Sequence, residues 1–194
     1  MARRKKYEFR PDTVRNDILG KLLLTRKQRK TLLRWTLFSL VCLVALLLQD
    51  VVMSRVSIFG ATTDLVPCCI LTICILQGAE SGCIFALSAS VFFFLSGSSP
   101  GAQCIPLITA LAVFAAMFRQ AYLRQGFATL MLCLSLSLLV YELATFGIGA
   151  FLGYTLPARL GSFCISCLIT LATVPLSYPI LKAIGKIGGE IWKE

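Results

Sequence analysis

The stretch SGCIFALSASVFFFLSGSSPGAQCIPLITALAVFAAMF, residues 81–118, contains no charged residue. It is about twice as long as the roughly 20 apolar residues that one helix needs to cross a bilayer. The segment Ser96-Gly97-Ser98-Ser99-Pro100-Gly101 in its middle is typical of a turn, because serine, glycine and proline interrupt helices. The stretch therefore predicts two membrane helices joined by a short turn.

Long uncharged runs also make up most of the remaining chain. Of the 194 residues, 57% are hydrophobic and 14% are charged, which is far from the composition of a soluble domain. We therefore expect an all-α integral membrane protein with six spans, at 33–53, 61–78, 81–97, 102–118, 127–153 and 160–181. Because spans two to four are short, a re-entrant hairpin that leaves four true spans is an open alternative.

Positive charge is concentrated at the start of the chain. Residues 1–34 carry twelve of the 19 Lys and Arg residues and three acids. With six spans and a cytoplasmic N-terminus, 17 of the 19 lie on the cytoplasmic side, which the positive-inside rule favours. We expect a basic cytoplasmic arm at 1–34 that binds anionic lipid and no nucleic acid, a transmembrane bundle at 35–182 and a cytoplasmic tail at 183–194.

Residue types that many enzymes need are missing or poorly placed. The chain has no histidine, which excludes an imidazole base and a His-ligated metal. Cys164-x-x-Cys167 lies in an apolar span without a second pair, so we interpret the nine cysteines as small hydrophobic residues. There is also no phosphate-binding glycine loop and no nucleophile elbow. We expect no catalytic residues, no cofactor and no metal.

Glu142 is the one acid near the middle of a predicted span. A charge in hydrocarbon costs several kcal/mol unless it is paired or hydrated. We interpret Glu142 as a protonated or hydrogen-bonded side chain that pins one helix against another. A proton relay would need a second acid at similar depth, and Asp50, Asp64 and Glu80 are all expected near span ends.

Glycines indicate both close packing and turns. Gly149-x-x-x-Gly153 in the fifth span matches the close-packing motif of membrane helices. It predicts packing within the bundle or a docking face for a partner helix. In the turn between spans three and four, Gly97 and Gly101 are expected to take positive φ, and Pro100 restricts its neighbour.

Three short motifs at the ends of spans two to four resemble the MreD family of rod shape-determining membrane proteins. They are Asp64-Leu65-Val66-Pro67, Glu80-Ser81-Gly82 and Ser96-Gly97-x-x-x-Gly101. Phe92-Phe93-Phe94 stands where the family often has an aspartate. The motif resemblance covers residues 59–107, and the span count, the short length and the cytoplasmic termini agree with the family over roughly residues 35–181. The candidate structural or interaction residues are Asp64, Glu80, Gly82, Gly97, Pro100, Gly101, Glu142, Gly149 and Gly153.

The MreD resemblance implies a non-enzymatic scaffold of the bacterial cell-elongation machinery. Such a protein lies in the cytoplasmic membrane with both termini inside and binds a bitopic MreC-like partner. Through that partner it is linked to an MreB-like filament and to the synthases that insert peptidoglycan. The implied bundle is similar in overall fold to the S components of energy-coupling-factor transporters. A substrate-binding S component of a vitamin transporter is the alternative function, although the first span lacks the paired alanines with which S components dock.

Overall fold

The computed structural model describes residues 26–52, 55, 61–122, 126–156 and 159–187. Most of the predicted N-terminal arm (1–25) and the end of the predicted tail (188–194) lie outside the described residues. The helices are α1 (Arg26–Val51), α2 (Leu65–Gln77), α3 (Ala79–Leu95), α4 (Cys104–Tyr122), α5 (Phe127–Phe151) and α6 (Leu160–Gly185).

Several helices extend beyond the predicted spans because charged residues continue them. α1 begins at Arg26, so the last residues of the predicted basic arm are helical. α4 and α6 continue past their predicted ends and carry Arg119 and Lys182 in their last turns. A cation is favourable there because the last carbonyl groups of a helix carry partial negative charge.

Four helices of the described chain are long and apolar enough to cross a membrane. They are α1, α4, α5 and α6, with apolar stretches of 24, 18, 25 and 26 residues. Large hydrophobic side chains are exposed along them, such as Leu43 on α1, Phe114 on α4 and Leu168 on α6. An apolar outer surface of this extent indicates a lipid environment. The structure thus agrees with a helical membrane protein and contains four long candidate spans, with α2 and α3 shorter.

α2 is the central helix of the bundle. It contacts each of the other five helices, and eleven of its thirteen residues are buried. Its sequence LVPCCILTICILQ has no charged residue on any face, and a helix that is apolar all round is expected to be buried. At 1.5 Å per residue it is about 20 Å long, shorter than the roughly 30 Å of hydrocarbon in a bilayer. Both of its ends therefore need polar partners from the helices around it.

Contacts between helix ends show that successive helices run in opposite directions. Ser98, just after α3, donates a hydrogen bond from its Oγ to Asp50 near the end of α1. α2 begins at this same end of the bundle. At the opposite end, the Arg119 side chain of α4 reaches the carbonyl oxygen of Ile75 near the end of α2. We call these two ends of the bundle the Asp50 end and the Arg119 end.

α2 and α3 form a tight hairpin at the Arg119 end. Only Gly78, with φ of 94°, separates the two helices. A Cβ atom on Gly82 would lie 3.0 Å from the Cα atom of Cys74, so the two backbones touch where a side chain would not fit. The Cys74 Sγ atom also donates to the Gly82 carbonyl oxygen at 3.1 Å. Gly82 is therefore required for the close packing of α2 on α3.

Candidate functional site

Buried polar side chains gather around the start of α2, at the Asp50 end. Gln49 of α1, Glu142 of α5, and Ser166 and Thr170 of α6 are each at most 8% exposed. Ser166 and Thr170 are four residues apart, which places them on one face of α6. Three different helices therefore direct polar groups toward the first residues of α2.

These side chains satisfy backbone groups that α2 leaves unpaired. The first N–H groups of a helix have no partner within the helix, and the Asp64 side chain does not cap its own helix. Instead, the Asp64 N–H donates to Thr170 Oγ1 at 3.0 Å and the Val66 N–H donates to Gln49 Oε1 at 2.8 Å. Non-helical backbone at membrane depth is tolerated only where protein or a water-filled cavity surrounds it. α1 and α6 supply that protein surrounding.

Asp64 and Glu142 lie side by side, although 78 positions separate them in the sequence. Their side chains are within hydrogen-bonding distance of each other. The Ser166 hydroxyl donates to the carbonyl oxygen of Thr62, and its Oγ atom lies 3.3 Å from Glu142 Oε1. The expectation that no second acid lies at the depth of Glu142 is therefore wrong. Asp64 reaches that depth because α2 is short and starts inside the bundle.

A polar cavity of about 370 Å³ lies at the Asp50 end of the bundle, and Asp64 of this pair lines it. Two carboxyl groups, one amide and several hydroxyl groups line it, and no lysine, arginine or aromatic residue is among the described residues of its lining. Such a lining suits water or a small polar or cationic solute. The lining residues are Gln49, Asp50, Thr62, Thr63, Asp64, Ser96, Gly97 and Ser98. Within the described ranges, no group of three or more His, Cys, Asp or Glu side chains is placed to hold a metal ion.

Comparisons of the chain with family models, curated proteins and solved structures find no match. The function must therefore be inferred from the arrangement of the chain's own residues.

A charged side chain binds the other end of α2, where Ser81 Oγ also donates to the Gln77 carbonyl oxygen at 3.3 Å. Arg119 is 8% exposed, and one of its terminal nitrogens donates to the Ile75 carbonyl oxygen at 2.6 Å. The last carbonyl groups of a helix also lack partners within the helix. Sequence reasoning used Arg119 only to predict topology, although an arginine in the last turn of an apolar helix is a signal for such a cap. Gln49 and Thr170 were also missed, because neither lies in a recognisable motif.

The glycines and the proline of the predicted turn stand where the chain reverses between α3 and α4. Gly97 has φ of 80° and Gly101 has φ of 145°, which confirms the predicted positive φ at both positions. Pro100 is exposed in this turn. Glu80 is exposed in the first turn of α3, where an acid is favourable near the helix N-terminus. These residues shape the two ends of α3.

Gly149 and Gly153 form the C-cap of α5, and neither glycine packs against another helix of the described chain. Gly153 follows the end of α5 with φ of 76°, and its N–H donates to the Ala150 carbonyl oxygen at 3.1 Å. The Tyr154 N–H donates to the Gly149 carbonyl oxygen at 2.8 Å, which completes a Schellman motif. A Cβ on Gly149 would lie 3.0 Å from Thr155 Oγ1, so the close contact there is with the following loop. The four-residue spacing reflects this cap.

All nine cysteines are free, including Cys164 and Cys167 on α6. Seven of the nine are buried, and Cys164 is exposed on the apolar outer surface. The Cys164-x-x-Cys167 spacing therefore holds no disulfide in this structure.

An apolar groove of about 510 Å³ runs along the outer side of α4 beside α3. Phe114, Met117 and Leu87 are each more than half exposed along it. The groove lies on the lipid-facing side of the bundle, between the two turns that carry the Glu80–Gly82 and Ser96–Gly101 motifs. Its lining includes Leu87 on α3 and Ile105, Ala110, Val113, Phe114 and Met117 on α4.

Proposed function

We propose that the chain is a non-enzymatic membrane scaffold of the bacterial cell-elongation machinery, related to MreD, that holds a bitopic MreC-like partner. The observation that carries this proposal is how the buried polar groups are used. Gln49, Thr170 and Arg119 all bind the backbone of the central helix. They stabilise one arrangement of helices, as a rigid docking platform requires. The MreD-like motifs lie at the ends of α2 and α3, the elements that this network fixes.

The proposal includes six membrane crossings with both termini in the cytoplasm of a bacterial cell. The hairpin tip at Gly78 supports it, because Arg119 in the last turn of α4 binds Ile75 beside that tip. The α2–α3 hairpin therefore extends as far as the end of a long candidate span. The distribution of 17 of 19 Lys and Arg residues supports a cytoplasmic Arg119 end. The N-terminal arm then lies against anionic lipid.

The groove between α3 and α4 is the proposed contact for the single membrane helix of the partner. Helices associate in lipid chiefly through close van der Waals packing, so a preformed apolar groove favours docking of another apolar helix. Through the bound partner, the chain would be linked to an MreB-like filament and to the peptidoglycan synthases. This arrangement requires no catalytic group, cofactor or metal.

Filling the groove tests the proposal. Ala110 is exposed and lines the groove, and Ala172 is exposed on α6, away from it. We expect Ala110→Phe to reduce co-purification of an MreC-like protein at least fivefold and to round rod-shaped cells that depend on the chain. Ala172→Phe adds the same side chain and should leave both readouts unchanged. If the two variants retain equal amounts of the partner, the groove is not the contact.

A second candidate function is a substrate-binding S component of an energy-coupling-factor vitamin transporter, and the polar cavity at the Asp50 end favours it. S components share the proposed six-helix fold and bind small molecules. The described residues of the cavity lining are acidic or polar and include no aromatic side chain for stacking on a ring, which supports the scaffold over this alternative. Tight binding of a vitamin to the purified chain, together with co-purification of an ATPase module and normal cell shape on depletion, would establish the transporter.

A further inference from the structure

The contact between Asp64 and Glu142 is used by neither candidate function. Two independent sets of contacts fix it. The Asp64 N–H is bonded to Thr170, and Glu142 is bonded to Ser166, one turn away on the same face of α6. α6 thereby holds both acids at one level, with their side chains within hydrogen-bonding distance of each other.

Two adjacent carboxyl groups cannot both be ionised at low cost in a buried site, because like charges repel strongly where water is scarce. A hydrogen bond between them requires a proton on one of them. The described residues place no lysine or arginine against either carboxyl group that would neutralise the pair instead. We propose that Asp64 and Glu142 share one proton, and that the resulting hydrogen bond holds the start of α2 against α5.

The groups that face the pair come from every helix at this end. α1 contributes Asp50, which lines the same cavity as Asp64. An Asp50 side-chain oxygen accepts a hydrogen bond from Ser98, which follows α3. The ionisable groups that interact with the pair are Cys68 on α2, Tyr141 on α5 and Cys167 on α6, and Cys104 on α4 interacts with Tyr141. None of these five groups carries a positive charge in any protonation state. The proton is therefore the cation that the pair can hold.

The cavity sets the side from which the proton exchanges. Asp64 is part of the lining at the Asp50 end. From Leu65 to Gln77, α2 contains no acid, so no carboxyl group of α2 continues the path toward the Arg119 end. The pair therefore exchanges its proton with one side of the membrane and does not pass protons across it.

Infrared spectroscopy of the purified full chain in lipid tests for the shared proton. At neutral pH the wild type should show the carbonyl band of a neutral carboxylic acid, shifted in heavy water. Glu142→Gln and Asp64→Asn should each abolish that band. In each variant the new amide N–H donates a hydrogen bond to the remaining carboxylate, which therefore needs no proton. Asp50→Asn and Glu80→Gln are matched controls outside the pair and should retain it. Absence of the band in the wild type, or its survival in both pair variants, would overturn the proposal.

Thermal unfolding provides a second readout that does not depend on assigning the band. The wild type should unfold at a lower temperature at alkaline pH than at neutral pH, because loss of the proton leaves two carboxylates in contact. Glu142→Gln keeps a hydrogen bond that does not titrate, so its shift over the same pH interval should be smaller. Equal shifts in the two proteins would show that the pair holds no proton. Neither readout involves the partner or a vitamin, so failure here leaves the scaffold proposal separately testable.

Discussion

The two ends of α2 face the same physical problem and meet it with different chemistry. At the Asp50 end, Gln49 and Thr170 each satisfy one backbone N–H, and the Asp64–Glu142 pair lies beside them under a polar cavity. At the Arg119 end, one guanidinium group binds the Ile75 carbonyl oxygen and Ser81 Oγ binds the Gln77 carbonyl oxygen. At the Asp50 end two neutral hydrogen bonds share the stabilisation, whereas at the Arg119 end the short charged bond of Arg119 is stronger than the 3.3 Å bond from Ser81 Oγ to the Gln77 carbonyl oxygen. The Arg119 end should therefore be more sensitive to a single substitution.

Arg119→Met should have the largest effect on stability. It removes a hydrogen bond from a charged donor and leaves a buried carbonyl unpaired, which costs about 2–3 kcal/mol of unfolding free energy. Reversible unfolding of the purified chain in mixed micelles measures this loss. Lys186→Met removes an exposed cation at the same end and should change stability by no more than about 0.5 kcal/mol. Equal effects of the two substitutions would contradict the assigned cap.

Gln77→Leu should change stability in the opposite direction at the same end. Gln77 is 4% exposed, and among the described residues neither atom of its side-chain amide has a hydrogen-bond partner. Replacing an unpaired buried amide by an apolar side chain of similar size should stabilise the chain by about 1 kcal/mol. The same unfolding measurement applies. A loss of stability would mean that the amide has a partner in the membrane-embedded protein.

Thr170→Val should have a smaller effect than Arg119→Met, because it acts at the Asp50 end. Valine has nearly the same shape but removes the acceptor of the Asp64 N–H, which should cost about 1 kcal/mol while Gln49 still holds Val66. Thr173→Val on the same helix removes only a bond to the carbonyl of Thr170 and should cost less. A cost for Thr170→Val that matches Arg119→Met would contradict the distributed support of this end.

The elements of the fold were largely predictable, because they depend on local sequence. Uncharged runs predicted all six helices within a few residues of their ends, apart from the start of α1. Gly97 and Gly101 were correctly predicted to take positive φ, since a turn of so few residues has few other solutions. The four-residue glycine spacing at Gly149 serves a helix C-cap and not packing within the bundle, which was not predictable because a C-cap and a packing motif can share the same local pattern.

The candidate site was less predictable, because its contacts join residues that are far apart in the chain. Asp64 and Glu142 were each singled out, but as separate features at different depths. Their contact depends on how far α2 starts inside the bundle, and hydropathy does not encode that depth. Thr170 has no local signal either, since a threonine in an apolar helix usually bonds its own backbone.

Composition and charge by themselves determined that this chain forms apolar helices suited to a membrane, and where the turns between them lie. These properties follow from single residues and their neighbours, because burial of backbone polar groups and avoidance of charge in hydrocarbon are local requirements. Only the tertiary structure decided that the shortest helix lies at the centre and that two acids meet beside its start. Arg119 and Thr170 likewise gained their roles from that arrangement. The reason is that a short buried helix must obtain its missing hydrogen bonds from whichever neighbours surround it, and those neighbours are chosen by packing.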